Sequence, residues 1–257
     1  MDINLLALSV GNSRLALGVF IAGELQHAAR VSLTDEDRWP ADLAAELQRI
    51  PGADGCIVVG ASVNLPLDDR VEEIVKTVTG HAVQWVGADL DIPIEVLTRK
   101  PAETGIDRVL AVAAAYEQIG KACIVVDAGT ALTVNCCNDN GDFVGGAIAP
   151  GLSMMLDALA KKTAGVGRAT FSIPAGAVGN STSAAVSHGV YFALRGLVKE
   201  MAENYATELG RWPEIIATGG DARQLFEGWE LIHAISPDLV LYGIALAYAD
   251  HHIRHES

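Results

Sequence analysis

The chain has 257 residues, half of them apolar, and its formal net charge at pH 7 is −14. This acidic balance argues against a general nucleic-acid-binding surface, which needs clustered lysine and arginine. No apolar run approaches the roughly 20 residues needed to cross a bilayer, and no secretory signal is visible. We therefore expect a cytoplasmic protein that binds neither nucleic acid nor a membrane.

The length suits two modest subdomains, which we place at residues 1–117 and 118–257. The four cysteines lie in apolar, strand-like runs and form no Cys-x-x-Cys pair. This pattern favours buried free thiols over disulfides or a zinc site.

In the first half of the chain, β-type runs alternate with helical patterns. Thr34 is expected to cap a helix that ends at Gly52. A second helix is indicated by the apolar spacing of Val71, Ile74 and Val75. The predicted strands of this half lie at residues 3–8, 15–20, 25–32, 56–59 and 83–86.

A third helix begins near Arg108, and its small residues 111–115 predict close packing on a neighbouring element. Asp107, at the helix start, is an ordinary residue there because the helix dipole favours an acid. Arg108 in the same turn is less easily explained, since the dipole disfavours a cation. A carboxylate beside a guanidinium at this point could deprotonate a substrate hydroxyl and hold an acidic group of the substrate.

The central stretch, residues 122–151, delivers an acid from a buried strand into a glycine turn. A strand at residues 123–126 is followed by Asp127, Gly129 and Thr130, and a second strand at residues 132–137 returns. A third strand follows an Asn-Gly turn. Such a turn suits a phosphate and metal site, because glycine admits close approach and the carboxylate binds the cation. A plain hairpin with an acidic turn is the alternative.

A second copy of this pattern lies near the N-terminus. Residues 9–13 of the first apolar run align with residues 127–131, so that Ser9 falls on Asp127 and Gly11 on Gly129. Two β-β-β units with equivalent glycine turns indicate a duplicated architecture. The arrangement resembles the acetate and sugar kinase, Hsp70 and actin superfamily. That resemblance implies an α/β, duplicated ribonuclease-H-like (actin-like ATPase) fold, with two β-β-β-α-β-α-type halves and a nucleotide cleft between them.

The second half continues with helices at residues 152–162 and 183–205, a strand at 214–218, a strand at 231–235 and a closing helix at 239–253. That last helix ends in His251, His252 and His255. Because no acid or cysteine pattern is adjacent in the sequence, a solvated tail is favoured there over a metal site.

The ordered motifs SVGNSR, TGIDR, VVDAGTALT, VGGAIAPGL, VGNST and IIATGGDA resemble the bacterial type III pantothenate kinases over essentially the whole chain. The resemblance implies phosphorylation of pantothenate by ATP, the first step towards coenzyme A. It also implies a homodimer that needs a divalent cation, Mg²⁺, and a monovalent cation, K⁺ or NH₄⁺.

The resemblance assigns roles to individual residues. Asp107 matches the general base, Arg108 the contact to the pantothenate carboxylate, and Asp127 the metal ligand. The other substrate-binding positions are Thr98, Gly105, Gly145, Gly146 and Thr182, the last reaching the neighbouring subunit's pantothenate. The ATP- and phosphate-binding positions are Ser9, Gly11, Asn12, Ser13, Arg14, Gly129, Thr130, Gly219 and Gly220.

Two positions depart from the family pattern. Ser9 stands where the family has an aspartate that helps to hold magnesium, and Thr98 stands where it usually has a tyrosine over pantothenate. A neutral hydroxyl is a weak ligand for a hard cation, so Ser9 is expected to weaken Mg²⁺ binding. Besides a pantothenate kinase, the sequence leaves open a catalytically weak nucleotide- or metabolite-binding regulator and a kinase of another small hydroxy acid.

Overall fold

The computed structural model describes residues 4–52 and 56–255, so Ile3, the predicted start of the first strand, lies outside the described residues. In chain order the strands and α-helices are β1 (Leu5–Val10), β2 (Arg14–Ile21), β3 (Glu24–Ser32), α1 (Trp39–Leu47), β4 (Ile57–Ser62), α2 (Asp68–Thr79), β5 (Gln84–Trp85), α3 (Ile106–Ile119), β6 (Cys123–Ala128), β7 (Ala131–Cys137), β8 (Phe143–Pro150), α4 (Leu152–Lys162), α5 (Thr182–Leu209), β9 (Glu214–Thr218), α6 (Ala222–Phe226), β10 (Ala234–Ile235) and α7 (Leu239–His255).

The described residues form two compact units. Each contains a five-stranded sheet, ordered β3-β2-β1-β4-β5 in the first unit and β10-β9-β6-β7-β8 in the second. Read from β8, the second sheet has the order β8-β7-β6-β9-β10, which matches the first sheet strand for strand. In both, the opening strand pairs antiparallel with the second strand and parallel with the fourth. The predicted duplication of an α/β fold is confirmed.

The first unit combines residues up to 118 with those from 238 onward, and the second comprises residues 119–237. The predicted subdomains, 1–117 and 118–257, differ from this division at the closing helix. Helix α7 packs on the first sheet, where Leu241 and Ile244 share a buried cluster with Leu5 and Val59. The apolar face of α7 therefore completes the core of the first unit.

The opposite face of the first sheet is covered by α1 and α2. Trp39 and Leu43 of α1 and Ile74 of α2 pack against Leu8 and other strand residues. In the second unit, one face of the sheet carries a core that α4 and α5 share, with Leu156, Leu194 and Val198 among its buried residues.

Two local predictions are wrong. Thr34 does not cap α1: a 3-10 turn, Glu36–Arg38, precedes the helix, which begins at Trp39 with Pro40 in its first turn, and the hydroxyl of Thr34 contacts that of Ser32 at 2.8 Å. The strand predicted at residues 231–235 shortens to β10, since the amide of Ile232 donates to the carbonyl of Trp229 in a turn. The helix at residues 152–162 and the strand at 214–218 lie where they were predicted.

The four cysteines are buried free thiols, as predicted. Among the residues that the structure describes, no helix combines the length and hydropathy that crossing a membrane requires.

Candidate active site

The loop between β1 and β2 carries the first group of predicted phosphate-binding residues. The amide of Gly11 donates to the carbonyl of Arg14 at 3.0 Å, so the glycine closes the turn with its own N–H. Asn12, Ser13 and Arg14 are exposed around it. The carbonyl of Gly11 accepts a hydrogen bond from Nδ2 of Asn64 at 3.3 Å.

Asn64 is a residue that the sequence analysis missed. It follows β4, and the neighbouring amide of Val63 donates to the carbonyl of Val10 at 3.0 Å. The segment after β4 thus holds the first loop in place. The internal repeat contained the signal, because Val63 and Asn64 directly follow β4 as Gly219–Asp221 follow β9 in the second unit.

Asp127, the predicted metal ligand, is the partly buried fifth residue of β6, between buried Val126 and Ala128. A Cβ on Gly219 would lie 2.3 Å from its Oδ1, and a Cβ on Gly129 would lie 3.4 Å from the same atom. Gly219 also has a φ of +92°, which a side chain disfavours. Both glycine loops therefore close around one carboxylate, and only glycine at residue 219 leaves room for it.

The surroundings of Asp127 are polar. In the sheet register it lies between Thr133 of β7 and Thr218 of β9. Thr218 is buried, and the hydroxyl of Thr133 accepts a hydrogen bond from Nδ2 of buried Asn135 at 2.8 Å. Oxygen donors of this kind suit a hard cation that keeps several water ligands and also binds substrate phosphates.

Ser9 occupies the equivalent position of the first sheet. It is the fifth residue of β1, as Asp127 is of β6, and it lies between Ala16 of β2 and Ala61 of β4. The predicted alignment is therefore correct at this position. The loop that follows is one residue longer in the first unit, since Val10 pairs with Leu15 whereas Ala128 pairs with Leu132.

Asp107 lies in the first turn of α3 and is partly buried. Its Oδ1 accepts a hydrogen bond from the amide of Arg108 at 2.8 Å, and a Cβ on Gly105 would lie 2.8 Å from that oxygen. Burial raises the pKa of Asp107 above its usual range, although the hydrogen bond from the Arg108 amide and the charge of Arg108 oppose the shift. A carboxyl with a raised pKa is a better proton acceptor near neutral pH.

Helix α3 is fixed by close contact with α7. A Cβ on Gly243 would lie 2.2 Å from the carbonyl oxygen of Leu110, so the two helices approach at a glycine. The close packing predicted from small residues 111–115 is thus present, and it sets the position of Asp107. Near that helix start, Thr98 and Thr104 share a hydrogen bond of 2.9 Å between their hydroxyls.

The remaining predicted positions lie in the second unit. A Cβ on Gly146 would lie 1.9 Å from the carbonyl oxygen of Val134, so β8 approaches β7 too closely for any side chain there. Gly145, beside it, has a φ of +127°. Thr182 is exposed at the first position of α5, whose preceding residue Ser181 accepts a hydrogen bond from the amide of Ala184 at 3.2 Å. Gly220 follows β9 and is exposed.

Within each unit the structure thus gathers predicted residues at strand ends and a helix start. Solved structures with this architecture include one described as a Baf family transcriptional activator from Campylobacter jejuni, at a TM-score of 0.62, 19% identity and 98% and 99% coverage of the two chains. An activator of 2-hydroxyisocaproyl-CoA dehydratase from Clostridium difficile, solved with ADPNP, has a TM-score of 0.53 at 12% identity and covers 99% and 97%. The fold is that of the actin-like ATPases.

Sequence comparison identifies the family to which the chain belongs within this fold class. The profile of the type III pantothenate kinase family matches residues 5–204. A type III pantothenate kinase of Dehalococcoides mccartyi strain CBDB1 is 34% identical over 249 residues, which cover 95% of each chain. One of Solibacter usitatus is 30% identical over 260 residues and covers 96% and 97%. The chain belongs to the type III pantothenate kinase family, whose members are ATP-dependent kinases that phosphorylate pantothenate.

Proposed function

We propose that the chain transfers the γ-phosphoryl group of ATP to the hydroxyl of pantothenate with Asp107 as general base. The observation that carries this proposal is the partly buried Asp107 carboxylate beside Arg108 at the start of α3, with its pKa raised by burial. The hydroxyl proton passes to Asp107 as the hydroxyl oxygen bonds to the γ-phosphorus. The bond from that phosphorus to the β–γ bridging oxygen breaks, and ADP leaves.

The substrate is held by the charge and hydrogen-bonding capacity around that base. Arg108 binds the pantothenate carboxylate, since a guanidinium matches a carboxylate in charge and geometry. Gly105, Gly145, Gly146 and Thr98 line the substrate. Thr98 stands where the family usually has a tyrosine, and its hydroxyl forms a hydrogen bond with that of Thr104. The pantothenate chain is therefore contacted there by hydroxyls.

The nucleotide is bound by the glycine loops. Ser9, Gly11, Asn12, Ser13, Arg14, Gly129 and Thr130 contact its phosphates, and Gly219 and Gly220 lie at the adenine. Asp127 would hold Mg²⁺, and the ion would supply neutralisation of the charge on the transferred phosphoryl group. The proposed reaction also requires a monovalent cation, K⁺ or NH₄⁺. The close approach of the loops at Gly129 and Gly219 to Oδ1 of Asp127 supports a cation site there.

We also propose a homodimer in which Thr182 reaches the pantothenate of the neighbouring subunit. Its exposure at the start of α5 supports this, as do large apolar side chains on the surface of the second unit: Ile148 is 64% exposed and Phe192 47%. Light scattering is expected to give a dimer at micromolar concentration. Mixing Thr182→Ala and Asp107→Asn chains should restore part of the activity, because one of the two mixed sites carries neither change. A monomer, or no recovery, would contradict the composite site.

The decisive experiment measures phosphopantothenate formation from ATP while Mg²⁺ is titrated and K⁺ or NH₄⁺ is replaced by Na⁺. We expect turnover that depends on both kinds of cation. Calorimetry with ATP and pantothenate runs in parallel.

A second candidate, a nucleotide- or metabolite-binding regulator, is favoured by one observation. Ser9 lies between two alanines at the position where the second unit has a carboxylate. Ligand binding without turnover in the experiment above would support the regulator. Turnover of another small hydroxy acid, but not of pantothenate, would support a different kinase.

A further inference from the structure

The C-terminal helix carries two histidines that face an acid from a distant part of the chain. His251 and His255 lie one turn apart on α7, and their ring centroids are 4.3 Å apart. The sequence favoured a solvated tail because no acid was adjacent. The fold supplies one: Asp91, in the segment after β5, lies against both rings.

The spacing of the three side chains suits a metal ion. Oδ2 of Asp91 lies 3.0 Å from Nε2 of His255 and 3.3 Å from Nδ1 of His251, and the three atoms all lie within 4.8 Å of one another. Bonds of about 2.0–2.2 Å in a tetrahedral site separate two ligands by about 3.3 Å. Two of the three separations already match that value, and the third is within 4.8 Å.

Hydrogen bonds leave one conflict in this group, although Oδ2 of Asp91 also lies at hydrogen-bond distance, 3.0 Å, from Nε2 of His255. Nδ1 of His251 accepts a hydrogen bond from the amide of Asp91 at 3.3 Å, and in that state it carries no proton. Its lone pair then lies 3.3 Å from a carboxylate oxygen that also carries none. One ring nitrogen cannot accept from the amide and donate to the carboxylate at once. A bound cation takes the lone pair of Nδ1 in place of the amide contact and removes the repulsion between that nitrogen and the carboxylate oxygen.

The rest of the local structure holds the ligands in place. Nη2 of Arg254 donates to the carbonyl of Pro93 at 3.3 Å, so the last turn of α7 is attached to the same segment that carries Asp91. Arg254 also lies 3.7 Å from Asp250, one turn earlier. Ligands on a helix and on a segment fixed to that helix need little reordering to bind an ion.

We propose that Asp91, His251 and His255 form a binding site for a divalent transition metal, with Zn²⁺ as the ion to test. Two imidazoles and one carboxylate select zinc and its neighbours over Mg²⁺, which prefers oxygen ligands throughout. The site is distinct in chemistry from the proposed magnesium site at Asp127. A bound ion cross-links the end of α7 to the segment that leads towards Thr98 and α3.

The test uses the full chain without an added histidine tag and freed of metal by a chelator. Zn²⁺ binding is measured by calorimetry, and Co²⁺ is added separately because its visible absorption reports tetrahedral coordination. We expect one equivalent of either metal to bind. Asp91→Asn, His251→Ala and His255→Ala should each weaken binding by about tenfold or more, at least as much as loss of an outer-shell partner does.

His252→Ala is the matched control, because His252 lies between the two ligands in sequence but its Nδ1 donates to the carbonyl of Tyr248, at 3.0 Å, instead. It should bind Zn²⁺ as the wild type does. Zn²⁺ should also raise the melting temperature of the wild type and of His252→Ala but not of the three ligand variants. Failure of the wild type to bind, unchanged affinity in Asp91→Asn, or equal loss in His252→Ala would each overturn the site.

Discussion

The two units have one strand order but differ in charge at the position that matters most for the proposed chemistry. Asp127 of the second unit lies between two threonines, with glycine loops closed around it. Ser9 of the first lies between two alanines. The two units therefore share a strand order, but only the second places a carboxylate among oxygen-bearing side chains at this position. The first unit instead carries Asp107 and Arg108 on α3. The comparison separates the half that carries the proposed metal ligand from the half that carries the proposed base.

The largest effect is expected from removing that base. Asp107→Asn should lower kcat by ~10²–10⁴, the usual contribution of a general base, and leave ATP affinity nearly unchanged. Turnover is measured together with ATP binding by calorimetry. Glu103→Gln is the control, because it removes an exposed acid four residues away that pairs only with Lys100, at 2.6 Å. Wild-type turnover in Asp107→Asn would show that Asp107 is not the general base and only stabilises the start of α3.

The next effect should come from making the second unit resemble the first. Asp127→Ser is expected to lower kcat by ~10²–10³, the range seen when a group that stabilises transition-state charge is removed. More Mg²⁺ should then be needed for half-maximal rate. Asp157→Ser, which removes an acid 3.4 Å from Arg168 on the same unit, is the control. Equal losses in both variants would show a response to net charge rather than to the site.

The converse change makes the first unit resemble the second. Ser9→Asp should tighten Mg·ATP binding and raise turnover at low Mg²⁺ by roughly tenfold. Attraction at 4 Å is about 4 kcal/mol at an effective dielectric constant of 20, and desolvation of the new carboxylate offsets much of it. A magnesium titration of the two proteins measures the gain. Gln26→Asp places the same charge on an exposed position of β3 in the same unit as a control. High wild-type activity that Ser9→Asp does not change would show that the first carboxylate is dispensable.

The smallest effect concerns stability. The folded-state pKa of Asp107 is raised, so ionising this carboxyl costs free energy in the folded state and stability is lost as pH rises through the raised pKa. Asp107→Asn has no such ionisation and should unfold at a higher temperature than wild type above that pKa. The difference should shrink as pH falls and the wild-type carboxyl is protonated. Thermal unfolding across pH measures it, and a constant difference would assign the change to packing.

Much of the fold could be predicted because the deciding information is local. Glu214–Thr218 and Leu152–Lys162 have strong apolar patterns with clear ends, and both elements lie where the sequence indicated. Thr34 failed as a cap because its hydroxyl had a competing partner in Ser32, which no propensity rule reveals.

The residues of the candidate site likewise fall into those that local sequence predicts and those that depend on contacts between distant segments. The strand-end positions of Ser9 and Asp127 followed from the repeat, since both are read from short stretches of sequence. Contacts between segments that are far apart in the sequence could not be predicted from it. Asn64 reaches Gly11 across 53 positions, and Asp91 meets His251 across 160. The packing of α7 on the first sheet was not predicted either, because its apolar pattern fits any core of suitable shape.

The position of α7 has a consequence for biosynthesis. The first unit is discontinuous, and residues 119–237 interrupt it as a continuous insertion. During translation the second unit can fold as soon as it leaves the ribosome, whereas the first sheet has been synthesised but lacks its cover. Leu5 and Val59 stay without their α7 neighbours until Leu241 and Ile244 emerge. The half that begins the chain is thus the last to be completed, and a nascent chain that stalls before α7 exposes an apolar sheet face to chaperones and to aggregation.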